Sequence, residues 1–428
     1  MNFINNINIK KYKSEINNRS ISEVIILWFL ILSPFIDMLN GVLKANSINL
    51  DLGSIGILYR LVFLGILIFI IYINGLDIKI QRFTIFSLYM CILPLIFAFN
   101  HQSITGIIDD FLYLSKFLLP FLLCLALYQL RRKSKLKDGF IDKIMKIYQY
   151  IFPLSMIIPY ILKIGYNTYH GTVGYKGLYH ANNEINIVLV CICILSIDDL
   201  LKNIRTINII KAGMAIFALL LIGSKTSLFS LIAVLSIYSV KYIIMAIMKK
   251  DLIKVIRNIS IVLISICIIF TIFSESITKV VDYTIKRYEI NTKSGVDSSN
   301  ISNFLFTGRN KRIDYNLRLM YFESEKPVSN FLLGIGKYQK SPNLDIKNYS
   351  LIEMDLLDLL FWFGIIPIIY VILYYGNLIF NKNNYKRKFK WWLSIVFMAM
   401  FSITAGHVIF SALSGTVLAL ITFRLQIN

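Results

Sequence analysis

The residues best suited to chemistry gather in and just after one polar stretch, 276–350. Its centre reads Phe306-Thr307-Gly308-Arg309-Asn310-Lys311-Arg312-Ile313-Asp314-Tyr315. Arg309 and Arg312 are three apart, so on a helix their guanidinium groups point the same way and can grip an oxyanion bidentately. The unpaired amides of a helix N-terminus add to such a site. The competing reading is a solvated basic helix touching lipid headgroups. Next comes a glycine-framed turn, Leu333-Gly334-Ile335-Gly336, and then three acids, Glu353, Asp355 and Asp358, at the start of an apolar run. Capping of a helix dipole accounts for one or two of them. Three acids, one of them a couple of turns deep, exceed that need, and a carboxylate shielded from water suits a general base.

Other candidates are more dispersed. Lys225, in Gly223-Ser224-Lys225-Thr226-Ser227, is a lone cation in a tight hairpin. It resembles half of a P-loop, but no upstream glycine or strand accompanies it, so nucleotide binding is not expected. The segment 169–184 is rich in Gly, Tyr, Asn and His and contains His180 and Asn182. Aromatic faces and amides of this kind bind sugars and also build ordinary turns. The five cysteines form no C-x-x-C and the carboxylates are scattered, so no disulfide framework, metal or cofactor is indicated.

These residues are set among apolar runs. The hydrophobic fraction is 57%, only 16% of residues are charged, and the mean hydropathy is +0.66. That is an all-α polytopic membrane protein, read here as a single membrane domain over 1–428. A net charge of +21 would suggest nucleic acid in a soluble chain. Here the cations sit in short loops between apolar runs, where they set topology and meet anionic headgroups. Spans are expected near 22–43, 53–74, 83–100, 105–129, 140–162, 184–201, 206–222, 226–247, 255–274, 351–379, 391–409 and 412–425, about twelve in all. Lys and Arg cluster after every second span, at 79–82, 131–137, 202–205, 249–254 and 382–390. By the positive-inside rule both termini are cytoplasmic and the large loop faces outward. The first 21 residues lack the apolar region and cleavage site of a signal peptide.

This orientation puts all four histidines, His101, His170, His180 and His407, on the outer side. It also puts intramembrane charges in the outer half: Asp37, Arg60 roughly 10 Å below the surface, and Asp109 with Lys116, seven apart and able to pair across two turns. Ionisable groups at such depth need a watery cavity or each other. An outward-opening vestibule is therefore expected. Ile313, Leu317, Met320 and Tyr321 fall at helical spacing, which predicts a short amphipathic helix on the membrane surface beginning near Arg309.

In this order the segments resemble the O-antigen polymerase and O-antigen ligase superfamily of bacterial membrane glycosyltransferases. The resemblance rests on Gly177-Leu178-Tyr179-His180-Ala181-Asn182-Asn183, Gly223-Ser224-Lys225-Thr226, Thr307-Gly308-Arg309, Leu333-Gly334-Ile335-Gly336 and the acidic start of span ten. It covers roughly 20–425 and implies a GT-C-like fold of about twelve spans with one large extracytoplasmic loop. In the ligase branch an arginine followed after three residues by leucine, and a histidine followed after ten by glycine, are linked to function. Here Arg309-x3-Ile313 carries isoleucine and Glu353-x10-Gly364 carries glutamate, a departure that fits a polymerase-like member better.

The resemblance implies an undecaprenyl-diphosphate-linked oligosaccharide donor, a glycan acceptor and no nucleotide sugar or cofactor. Extension of a cell-surface polysaccharide such as capsule would then occur at the outer face of the bacterial cytoplasmic membrane. Arg309 and Arg312, joined by Arg60 or Lys225, would neutralise the leaving diphosphate. Glu353 would take the acceptor proton, with Asp355, Asp358, His180 and His407 as rivals. A chain-length regulator and a flippase are the partners such a system uses. The alternatives are a ligase that hands a finished glycan to another acceptor, and a lipid-linked oligosaccharide flippase. A twelve-span carrier commonly shows paired repeats and broken midplane helices; no such repeat is visible.

Overall fold

The computed structural model describes residues 20–46, 54–101, 104–168, 174–249, 309–322, 324–337 and 351–427, with isolated positions at 271, 274, 278 and 282. Within these the secondary structure is helical, apart from one isolated bridge between Asn167 and Tyr175. Numbered in chain order, the helices are α1 (Ile21–Ala45), α2 (Ile55–Ile73), α3 (Ile78–His101), α4 (Ile104–Arg132), α5 (Phe140–Ile161), α6 (Asn182–Lys202), α7 (Thr206–Ile222) and α8 (Lys225–Lys249). They continue with α9 (Arg309–Leu317), α10 (Pro327–Leu333), α11 (Asp355–Phe363), α12 (Ile365–Ile379), α13 (Lys382–Arg387), α14 (Phe389–Thr404) and α15 (Ala412–Gln426).

Six helices, α1 to α5 and α8, contain stretches long and apolar enough to cross a bilayer; α7, α12, α14 and α15 are shorter apolar helices. This is a multi-pass membrane protein. The span expected at 255–274 and most of the loop expected at 276–350 lie outside the described residues.

Two helices form the interior. Every residue of α6 from Ile185 to Asp198 is buried, and α15 is buried along nearly its whole length. A helix that is buried on all sides shows no amphipathic stripe. α6 packs against α5, α7, α8, α14 and α15, while α15 also packs on α1 and α4. The lipid-facing helices show the inverse pattern, with Trp28, Phe35, Phe69 and Ile85 exposed, as expected of apolar side chains whose solvent is hydrocarbon.

The run 351–379, expected as one span, is two helices. Gly364 has φ +78°, and a Cβ there would lie 2.2 Å from the carbonyl oxygen of Leu332. The break therefore exists because α10 presses against it, and only glycine combines that φ with that approach. The turn after α10 is tied to the end of α11 by hydrogen bonds from the Ile335 amide to the Phe361 carbonyl (2.8 Å) and from Gly336 to Trp362 (3.1 Å). These bonds satisfy carbonyls that a helix C-terminus leaves open and fix the turn after α10 on the end of α11.

Candidate active site

α9, described from Arg309 onward, packs Ile313 and Leu317 toward the core and runs on into a π-helical turn, Arg318–Phe322, whose Met320 is fully buried. The helix thereby projects Arg309 and Arg312 onto one acid. Arg309 Nη2 lies 3.3 Å from Glu353 Oε2, and Arg312 Nη1 lies 3.1 Å from Glu353 Oε1. Each carboxylate oxygen has its own guanidinium. Arg309 also donates to the carbonyls of Thr404 (2.5 Å) and Ala405 (3.4 Å), and Arg312 to that of Leu351 (2.9 Å). The Arg309 side chain is 13% exposed against 32% for Glu353, so the acid is the more open partner.

Glu353 is held in an uncommon backbone conformation, φ +68°, as is His407 at φ +63°. Such outliers cost on the order of 1–3 kcal/mol each and persist only where the surroundings over-determine them. The surroundings here are two buried carboxylates. Asp358 turns back to accept the amides of Ile352 (2.7 Å), Glu353 (3.1 Å) and Met354 (3.2 Å). Asp355 accepts those of His407 (2.7 Å), Val408 (2.8 Å) and Ile409 (2.9 Å). Both are 1% exposed. They therefore act on backbone, shaping the two loops that present Glu353 and His407. Gly406 completes the fit: a Cβ there would stand 2.5 Å from the Glu353 carbonyl carbon and oxygen.

The charge balance at Glu353 follows from this cage. Burial pushes its carboxyl pKa up, but the Arg312 guanidinium, with His407 and Arg309 behind it, more than reverses that and holds it below the usual carboxylate value. It is ionised at neutral pH.

α6 reaches the same place from the interior. The Asn183 side-chain amide donates to the Ala405 carbonyl (3.2 Å), the same oxygen that Arg309 uses, and the buried Asn182 Oδ1 has no hydrogen-bond partner among the described residues. Deeper along α6, Asn186 donates to Ser224 (3.3 Å) and Thr226 (2.8 Å) on either side of Lys225, which begins α8. His180 stands just before α6. Its carbonyl accepts from the Lys176 ammonium (2.9 Å). Partial desolvation, then Lys44, Lys176 and Lys116, push its imidazole pKa down against the opposing pull of Glu184, so the ring is neutral near pH 7.

Arg60 is engaged differently. It forms an ion pair with Asp37 across the α1–α2 contact, beside the buried Asn40. The pairing of Asp109 with Lys116 expected from their spacing is not made: among the described residues no carboxylate lies within 4 Å of the Lys116 ammonium, which instead sits over the Tyr113 ring, 4.5 Å from its centroid. The ring is the nearer neighbour because it lies one turn away on the same helix. His101 is placed only by its backbone at the end of α3, and His170 lies outside the described residues. Among the described residues no group of His, Cys, Asp and Glu could hold a metal ion.

Behind Val408 and Ile409 an apolar hollow of about 160 Å³ opens between α12 and α14, with Tyr375, Met398 and Ile403 in its wall. Its lining is almost wholly hydrocarbon, and it backs onto the loop that Asp355 holds.

The model of the O-antigen ligase like membrane protein family matches residues 20–303. The chain belongs to that family. The match spans α1 to α8 and stops short of Arg309, so it supports this O-antigen ligase-like scaffold without covering the arginine–glutamate group. No curated protein and no solved structure matches the chain. What the sequence did not reveal in this family member is the set of backbone acceptors, Thr404 and Ala405, and the amide-holding work of Asp355 and Asp358. Ala405-Gly406-His407 offered only a glycine beside a histidine as a signal.

Proposed function

We propose that the protein extends a cell-surface polysaccharide by transferring a glycan from an undecaprenyl-diphosphate carrier to an acceptor hydroxyl at the outer membrane face. The observation that carries this reading is the sharing of one ionised carboxylate, Glu353, by two arginines. A carboxylate beside two cations supports this reading, because the reaction needs a base for the hydroxyl and positive charge for a diphosphate leaving group.

The acceptor oxygen forms a bond to the anomeric carbon as the bond from that carbon to the diphosphate oxygen breaks. The hydroxyl proton goes to Glu353, and the negative charge remains on the lipid diphosphate. Preorganised donors aimed at such charge contribute on the order of 3–4 kcal/mol each. In the resting site Arg309 and Arg312 are occupied by Glu353. Diphosphate binding draws them off, and the partly buried carboxylate, losing its counter-charges, becomes a stronger base. Donor binding thus arms the base. The apolar hollow against Val408 and Ile409 is compatible with a prenyl chain lying close to the same loop.

The twelve-span, both-ends-cytoplasmic topology belongs to this reading, as do a chain-length regulator and a flippase as partners. The family description keeps a second reading open, a ligase that transfers a completed glycan once. Incubating purified protein with diphosphate-linked repeat units separates the two: a polymerase yields a ladder of lengths, a ligase a single added block. Intact donor moved across a vesicle bilayer, with no bond broken, would overturn both.

A further inference from the structure

A second set of cations lies apart from the Arg309–Glu353 group. Lys116 is twelve residues into α4, roughly 18 Å from its outer end. Lys337 follows the docked Gly334–Gly336 turn, where its backbone amide donates to Asp110 (2.7 Å). Their ammonium groups meet on one ring: Lys337 Nζ is 3.6 Å and Lys116 Nζ 4.5 Å from the Tyr113 centroid. Tyr113 packs edge-on against Trp362 with centroids 5.0 Å apart, which links it to α11 and so to the loop of Glu353.

Two ammonium groups drawn onto one ring repel each other, and the ring's quadrupole offsets only part of that cost. Acids surround them at longer range, Asp109, Asp110 and Asp358 about Lys337 and Glu184 about Lys116. Among the described residues none lies within 4 Å of either ammonium. Both side chains are half-buried rather than sealed, so an entering group can reach them. An ionisable group this deep, without a direct counter-ion, marks a place where a charged ligand is handled.

We infer that Lys116 and Lys337, seated on Tyr113, form a binding subsite for an oxyanion carried by the saccharide itself, the carboxylate of an acidic sugar or a phosphate substituent on one. The arginines serve the diphosphate, so this subsite selects for anionic glycans. The inference rests on the transferase reading for its biological meaning, but the binding it describes does not.

The test is calorimetric titration of the full chain in lipid nanodiscs with trigalacturonic acid, with neutral galactotriose, and with geranylgeranyl diphosphate. The acidic trisaccharide should bind and the neutral one should not. Lys116→Gln and Lys337→Gln should each weaken binding at least tenfold, Arg309→Ala should leave it within twofold, and geranylgeranyl diphosphate should not compete. Lys337 lies outside the helices, so its variant decides the matter if Lys116→Gln fails to insert. Equal binding of both trisaccharides, insensitivity to both lysine changes, or competition by the prenyl diphosphate would overturn the subsite; the last would assign the lysines to the donor. Absence of both a ladder and a single added block, with this binding intact, would defeat the transferase reading alone. A ladder without the binding would defeat only the subsite.

Discussion

The carboxylate of Asp358 accepts the backbone amide of Glu353 at 3.1 Å, from a position fully enclosed by protein. One acid therefore fixes the backbone from which another reaches outward. Two acids five residues apart differ in burial: the enclosed one holds backbone amides, and the half-open one meets the two arginines.

That division predicts the behaviour of Asp358→Asn. The amide keeps the volume but offers one acceptor oxygen in place of two to three backbone amides. A buried amide left without its acceptor costs about 1–3 kcal/mol. The variant should lose several degrees of thermal stability in detergent and at least tenfold in polymer formation, with donor affinity little changed. Unaltered melting would show that the amides are satisfied some other way.

Gly406→Ala tests the contact on the other side of Glu353. The new methyl would press on the Glu353 carbonyl and would also occupy a backbone of φ +63°. Loss of about 1–3 kcal/mol in stability is expected, with activity abolished because Glu353 is displaced. Folded yield by fluorescence-detected gel filtration and product length on a gel would check both parts.

The ion pair makes a signed prediction about pH. Glu353 has a folded pKa below its unfolded value of about 4.3. Its contribution to stability is therefore full above that unfolded value and is lost as pH falls through the folded one. In Arg312→Gln the chief opposing charge is gone and burial remains, so the folded pKa moves up. Once it exceeds the unfolded value, the sign reverses, and stability drains away as pH rises through it. The gap in melting temperature between wild type and Arg312→Gln should therefore widen as pH rises from about 3 to 7; parallel curves would mean that Arg312 is not the dominant partner.

Topology gives an independent check. A cysteine at Asn310 should react with an impermeant maleimide from outside, and one at Lys135 only after the membrane is opened. The reverse pattern would place the arginine pair on the wrong face for a lipid-carried glycan.

The chemically typed residues of the site could be read from the chain: Arg309, Arg312 and Glu353 do converge, across 44 positions. The helix carrying both arginines and most of the apolar helices were legible too, because periodicity and run length are local properties. What escaped depends on tertiary approach. The break at Gly364 is caused by Leu332, more than thirty residues earlier. The acceptors for Arg309 are main-chain carbonyls, which every residue type possesses. Lys116 and Asp109 share a helical face, yet Tyr113, one turn from Lys116, takes the contact.

Arg309 is fastened at both ends of its planar fork, to the acid of one loop and to the carbonyls of Thr404 and Ala405 at the end of α14. Those carbonyls are synthesised long after the arginine itself. A ribosome stalled between the two would release a chain bearing Arg309, Arg312 and Glu353 with the second anchor missing. The group is thus locked only when the α14 terminus has been threaded and docked, which ties readiness for chemistry to completed insertion.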